Sequence, residues 1–377
     1  MLNDVKFEVL GGGLGRQAEG EDHISALMFS LTPPTEYGTA KCKQFLDIEQ
    51  VKQAGVTEGH ATYGEAYYHA EEFFRIAPGA VLWICFNATY LEMNEAAAGK
   101  IRQVGVYFSS FPDLTAVHQA GATALDALHA PVQVLAAYSA ATALVLSTAA
   151  DQAINTAPNV SVLLAGDGAG KGAALATAVS KPYIPALGAT LGAMAKAKVH
   201  ESIAWVQPFN LSDGSELETI RLADGNNNPT NSTLVALNTK RYLVFRKHVG
   251  ISGTYLNDSH TSVTATSDFG TIELNRVIQK VKREVRKALL PDLNSPITVD
   301  GDTGKLAPGT IKYFESKCNR PLDTMQAAAE FSAYGVYINP NQNILATSNL
   351  VIGIKIVPRG VARDITVSLG FSVTTAF

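Results

Sequence analysis

From residue 24 to about 206 the chain alternates two kinds of segment, and this alternation restricts the available folds more than any other feature. Short apolar runs stand at 80–87 (AVLWICFN), 103–108 (QVGVYF), 132–138 (VQVLAAY) and 160–165 (VSVLLA). Alanine-rich stretches lie between them at 62–75, 114–129 and 173–179. Runs this short and this apolar suit strands buried on both faces, and their alternation with helices predicts an α/β layer around a partly parallel sheet. The segment 217–237 breaks the rhythm with NNNPTNST at 226–233, expected as an exposed, turn-rich loop.

Size and charge narrow the function classes. With 377 residues, 46% hydrophobic and 17% charged, the chain can bury a large core and is expected to hold two or more domains. A net charge of -4 provides no overall basic field for nucleic acid, so an electrostatic partner has to be met by a local patch. Cys42, Cys85 and Cys318 are widely separated and form no C-x-x-C pair, which predicts free thiols in a reducing compartment. The opening MLNDVKFEVLGGG carries acidic residues and no uninterrupted apolar run, unlike a secretory signal. The charge-free segment 131–150 is rich in Ala, Ser and Thr and is expected to be a buried strand followed by a helix, not a membrane span.

The run VSVLLAGDGAGKGAALA at 160–176 places a strand, a glycine turn and a small-residue helix in the order used by phosphate sites. Its spacing fails. Three residues separate Gly166 from Gly170-Lys171 where a P-loop has four, and Gly172 stands where Ser or Thr would hold magnesium. Lys171 also occupies the place of the third glycine of a dinucleotide fingerprint, so a plain strand-to-helix turn is expected. The histidines His23, His60, His69, His118, His129, His200, His248 and His260 show no metal-ligand spacing, and His69, beside Glu71 and Glu72, reads as part of a solvated helix face. Gly250 to Gly253 is one residue short of a nucleophile elbow. No catalytic, cofactor or metal site is expected, and the chain does not read as an enzyme.

The ends and the last third are more specific. Val5, Phe7 and Val9 alternate with Lys6 and Glu8 and are followed by Gly11–13 and Gly15, a strand on a glycine hinge. Such a segment can pair with a neighbour or form an edge strand of its own domain. After a strand at 242–249, a helix beginning near Asp268 or Thr271 places Leu274, Ile278, Val281, Val285 and Leu289 on one face. Arg276, Lys280, Arg283 and Lys287 recur at the same steps on another face, with Lys282 and Arg286 beside them and only Glu273 and Glu284 opposing. Like charges in a row repel unless a partner neutralises them. The row is either a solvated face or a docking surface for an acidic protein; no aromatic platform supports nucleic acid. A second helix is expected over 309–329, interrupted near Arg320-Pro321, then strands at 335–339 and 349–357. The closing segment 364–374 alternates Ile365, Val367, Leu369, Phe371 and Val373 on one side, a strand able to complete a sheet in another copy.

The succession RYLVFRKHVGISGTYLND, TSDFGTIELNRVIQKVKREVRKAL, PDLNSPI and IGIKIVPRGVARDITVSLGF resembles the C-terminal domain of contractile tail sheath proteins. GGGLGRQAEGEDHISALMF and KPYIPALGATLGAMAKAKVHESIAWV look like the rest of a compact member of that family. The resemblance is strongest from Arg241 onward and weakest between about 40 and 160. It implies an N-terminal arm at 1–22, an outer α/β domain at 23–240, an α+β polymerisation domain at 241–360 and a C-terminal strand arm at 361–377. It also implies a sheath that polymerises helically around an inner tail tube and contracts, in phage tails, tailocins or injection systems. Copies would be linked by strands donated from Val5, Phe7 and Val9 and from Ile365, Val367, Leu369 and Phe371. The tube would be held through Arg276, Lys280, Arg283 and Lys287, or through the helix near 311–320. Further implied partners are baseplate and tail-terminator proteins, with assembly in the bacterial cytoplasm and residence in the finished particle. Two other readings stay open: a nucleotide-binding α/β enzyme with an oligomerising C-terminal domain, and a tube or baseplate component.

Overall fold

The structure, a computed structural model, describes residues 20–108, 114–367 and 371. Its first part runs β1 Ser25–Phe29, β2 Cys42–Phe45, α1 Ile48–Gln53, α2 Gly64–Ile76, β3 Leu82–Phe86, α3 Tyr90–Ala96, β4 Gln103–Phe108, α4 Leu114–Ala127, β5 Gln133–Tyr138 and β6 Val160–Leu163. There follow β7 Ala165–Asp167, α5 Lys171–Ala178, α6 Leu187–Lys196, β8 Ile220–Leu222, α7 Asn231–Thr239, β9 Phe245–His248 and β10 Ile251–Leu256. The last part holds α8 Ile272–Leu289, α9 Pro308–Ala327, β11 Ala333–Ile338, α10 Ile344–Thr347 and β12 Ile352–Val357.

The apolar runs become the sheet. Its order is β2-β3-β1-β4-β5-β6, parallel throughout except for β2, which pairs antiparallel with β3. Without β2, this is the order of an open doubly wound sheet whose crossovers reverse between β1 and β4. Helix α4 lies on β5 and β6, while α6 lies on β4 and β5 and packs along α2. Beyond β6 the chain returns at Leu243, which bridges to Leu163 in parallel, so Tyr242–Phe245 are wholly buried in this first core. A second core joins Val277, Val281 and Val285 of α8 to Cys318, Leu322 and Met325 of α9, to Phe331, and to the inner side chains of the β11–β12 hairpin.

Several local expectations are corrected. Cys42 and Cys85 are not free thiols: they stand opposite one another in the β2–β3 register and are joined in a disulfide, while Cys318 is free and buried. No α-helix follows β5; 141–150 consists of bends and one short 3-10 turn. The NNNPTNST loop ends in helix from Asn231, because the Thr230 hydroxyl accepts the Thr233 N–H and caps α7. Helix α9 runs through Pro321 without interruption.

His69 is also corrected: it is fully buried, lies among Phe29, Tyr68 and Tyr107, and accepts the Gly188 N–H at Nδ1, 3.3 Å away. Burial, with a smaller contribution from Lys181, depresses its pKa from 6.5 to about 3. A depressed folded pKa means that the stability held by neutral His69 is complete above the unfolded pKa and is lost as pH falls toward the folded one. Denaturant titrations between pH 7 and pH 4 are therefore expected to show stability falling below pH 6.5, by about 1.4 kcal/mol per pH unit from this residue. His69→Leu should remove that share of the slope.

Candidate assembly interface

The segment 361–367 forms no strand within the chain. Ile365 is 81% exposed, Val367 69%, and Phe371 fully exposed, so three alternating apolar side chains bury nothing here. Leu369, and Val5, Phe7 and Val9 of the N-terminal arm, lie outside the described residues.

A two-stranded hairpin is also present. Strands β11 and β12 pair antiparallel from Ala333↔Val357 to Ile338↔Ile352 and, among the described residues, form a sheet of two strands. Tyr334, Val336, Ile354 and Ile356 pack on the α8–α9 core, whereas Tyr337 and Val357 face outward and are 65% and 54% exposed. A hairpin seated on helices, with no third strand among the described residues, presents backbone N–H and C=O groups along its edges, the geometry that an added strand satisfies.

Helix α8 departs most from its wheel. Val281 and Val285 are buried as expected, but Leu274, Ile278 and Leu289 are only half-buried, and Val277, Arg276, Gln279 and Arg283, not expected in the core, are buried. Gln279 Nε2 donates to the Val132 carbonyl at 3.2 Å; for the two arginines the reason is Asp22, just before β1. Its carboxylate receives Lys280 Nζ at 2.7 Å and Arg283 Nη2 at 2.6 Å, and Arg276 Nη2 donates to its backbone carbonyl at 3.2 Å. Lys280 also reaches Glu330, at 2.5 Å, three residues before β11. Burial acts to raise the Asp22 pKa, but Lys280, Arg283 and Arg276 outweigh it and hold the carboxyl below its usual range. Burial, with Arg102 nearby, brings Arg283 down to about 10. The basic row is therefore not one exposed stripe. Of the four residues expected to dock a tube, Arg276, Lys280 and Arg283 are engaged inside the chain, and Lys287 alone is mostly exposed, paired with Glu284. The other candidate helix, α9, carries Lys312, Glu315, Ser316, Asn319, Arg320, Asp323 and Thr324 along an open, shallow groove.

The C-terminal segment is anchored nearby. Arg363 Nε lies 3.0 Å from both carboxylate oxygens of Asp258, and its Nη2 lies 2.7 Å from Glu273 in the first turn of α8. Burial acts to lower the Arg363 pKa, but the two carboxylates raise it overall. Asp22, Asp258, Glu330 and Arg363 were not singled out from sequence, and each meets a partner far away in the chain.

The glycine turn at 166–172 is closed to phosphate. Glu216 accepts the Lys171 N–H at 2.8 Å, and Asp167 is buried beside it, so carboxylates already occupy the start of α5. Gly166 is needed for packing, since a Cβ there would lie 2.1 Å from the Ile184 carbonyl oxygen. Among the described residues no group of three or more His, Cys, Asp or Glu is arranged to hold a metal, and no helix is long and apolar enough to cross a membrane.

Two domain families match the chain: DUF2586, N-terminal domain, over residues 91–260, and DUF2586, C-terminal domain, over 268–376. No curated protein matches the sequence. Among solved structures, the chain is similar to one from the contracted helical sheath of the anti-feeding prophage, at 15% identity and a TM-score of 0.66, with 99% of each chain covered. A chain from the six-fold symmetrised baseplate of the same particle matches at 15% identity and TM-score 0.67, again over 99% of each. A chain from the contracted PVC sheath complex of an extracellular contractile injection system matches at 12% identity and TM-score 0.65, over 99% of this chain and 98% of that one. Likeness over the whole length of both chains establishes a shared fold.

Proposed function

We propose that this chain, which carries both domains of the DUF2586 family on the fold of a contractile sheath, is the structural subunit of such a sheath. Copies polymerise helically around an inner tube, and contraction of the sleeve drives that tube through a target envelope. The observation that supports this reading is the presence in one chain of an exposed, alternating C-terminal segment and of a hairpin that has two strands among the described residues. Ile365, Val367, Leu369 and Phe371 of one copy extend the β11–β12 sheet of another, and Val5, Phe7 and Val9 are donated in the same manner. Backbone pairing is directional yet indifferent to most side chains, so it holds copies together while their bodies turn.

The tube contact is assigned to the exposed face of α9 with Lys287 beside it, because Arg276, Lys280 and Arg283 are committed within the subunit. Surface pairs of this kind contribute roughly 0–1 kcal/mol each, weak enough to release singly and effective when repeated. Baseplate and terminator proteins cap the polymer, which is built in the bacterial cytoplasm and then belongs to the particle. The role is structural and the chemistry non-catalytic. Support for the enzyme reading is lacking, since the turn it requires is filled by Glu216 and Asp167.

Negative-stain electron microscopy of the assembled protein is the test: long cylinders are expected, and closed rings alone would point to a tube or baseplate component. Reversing Lys312 and Arg320 to Glu is expected to give empty sleeves. Tube-filled particles from that variant would move the contact elsewhere.

A further inference from the structure

We propose that helix α8 is a common anchor, tying the roots of both terminal arms and the base of the receiving hairpin to one rod by ion pairs. The proposal rests on the arm-donation reading given above. It comes from where the charged side chains of α8 end. Near one end of the helix, Glu273 holds Arg363, in the root of the C-terminal arm and immediately before its alternating strand 364–374. About 15 Å along, ten residues at the helical rise, Arg283 holds Asp22, where the chain leaves the N-terminal arm for the central strand β1. Between them Lys280 bridges Asp22 and Glu330, and Glu330 lies just ahead of β11. Neighbouring bonds secure the same points: Arg102 reaches Glu21 at 2.5 Å, and Arg359 donates to the Ala329 carbonyl at 3.2 Å.

The arrangement explains why a row of basic residues lies on a helix of an acidic chain. A pull on either donated arm, or on the hairpin that receives one, meets α8 before it can peel β1 from its sheet or β12 from β11. The residues concerned position the arms and take no part in the strand pairing itself. Asp22→Asn keeps the shape and the backbone carbonyl contact of Asp22 but removes the charge, and Arg363→Met keeps the stem without the guanidinium.

Cylinders assembled from wild-type chain, from each single variant and from the double variant would be subjected to graded shear, with lengths measured by electron microscopy and subunit folding by circular dichroism. The double variant is expected to assemble and then to fragment to at least five-fold shorter cylinders, each single variant falling between. Should Asp22→Asn fail to fold, Arg363→Met, at a partly exposed site, carries the test alone. A folded variant whose cylinders break no more readily than wild type overturns the anchor. A chain lacking residues 364–377 serves as the reference: if it forms ordinary cylinders, the arm reading itself fails, whereas its failure to assemble beside shear-resistant Arg363→Met cylinders refutes only the anchor.

Discussion

Removal of residues 364–377 is expected to leave a folded, monomeric chain that builds no cylinders. The effect on folding should be small because Ile365, Val367 and Phe371 are exposed and add nothing to either core. Arg363, which ties the root, is retained in this truncation. The effect on assembly should be complete: under the proposed donation each missing arm removes a row of inter-subunit hydrogen bonds, and the N-terminal arms alone are expected not to close the polymer. Sedimentation should show one monomeric species with unchanged circular dichroism. Cylinders of normal diameter from the truncated chain would exclude the C-terminal donation. A finer version uses proline, which removes one backbone donor. Because successive N–H groups of a strand point to opposite edges, Thr366→Pro and Val367→Pro should differ, one blocking assembly and the other not.

Gly188→Val is expected to be the most damaging single substitution in the body of the subunit. Gly188 lies in α6 where that helix meets α2, and a Cβ there would stand 2.1 Å from the His69 carbonyl oxygen and 2.6 Å from its Cα. Both are backbone atoms, so no rotamer relieves the clash and α2 has to shift. The shift would open a contact made by Leu187, Leu191 and Phe73, all wholly buried. A loss of roughly 3–5 kcal/mol or outright misfolding is expected, from overpacking together with the voids that follow. Helix propensity points the other way, but Gly188 is only the second residue of α6 and Val improves on Gly by only a few tenths of a kcal/mol even inside a helix, so the sign of the result decides which effect governs. Gly309→Ala in α9 is the control: nothing lies within 4 Å of its added methyl, and it should be neutral or mildly stabilising by thermal melt.

The parts of this fold that could be read from sequence are those in which neighbours in the chain decide the outcome. The apolar runs at 80–87, 103–108, 132–138 and 160–165 became β3, β4, β5 and β6 because their composition suits no other place than a sheet covered on both sides. What could not be read depends on residues brought together from afar. Nothing local marks Asp22 as the partner of Arg283, so the buried Arg276 and Arg283 and the half-buried Lys280 of α8 looked like a solvated face or a docking surface. Cys42 and Cys85 are 43 residues apart, and only the antiparallel β2–β3 register makes them opposite. His69 follows the same rule, its neutral state being imposed by Phe29 and Tyr107 from other strands. Helix α7 was legible and overlooked: Thr230 followed by an apolar-bearing run is a capping signal that the asparagines and proline before it obscured. Helix α6 offered no polar face at all, since Leu187 through Ala195 are buried throughout.

Helix α8 contributes Ile272 to the first core and Val277, Val281 and Val285 to the second. A single unbroken rod embedded in both prevents either half from swinging about the other. In the sheath proposed above, shortening would then be a re-tiling of stiff pieces, with the give confined to the straps between them.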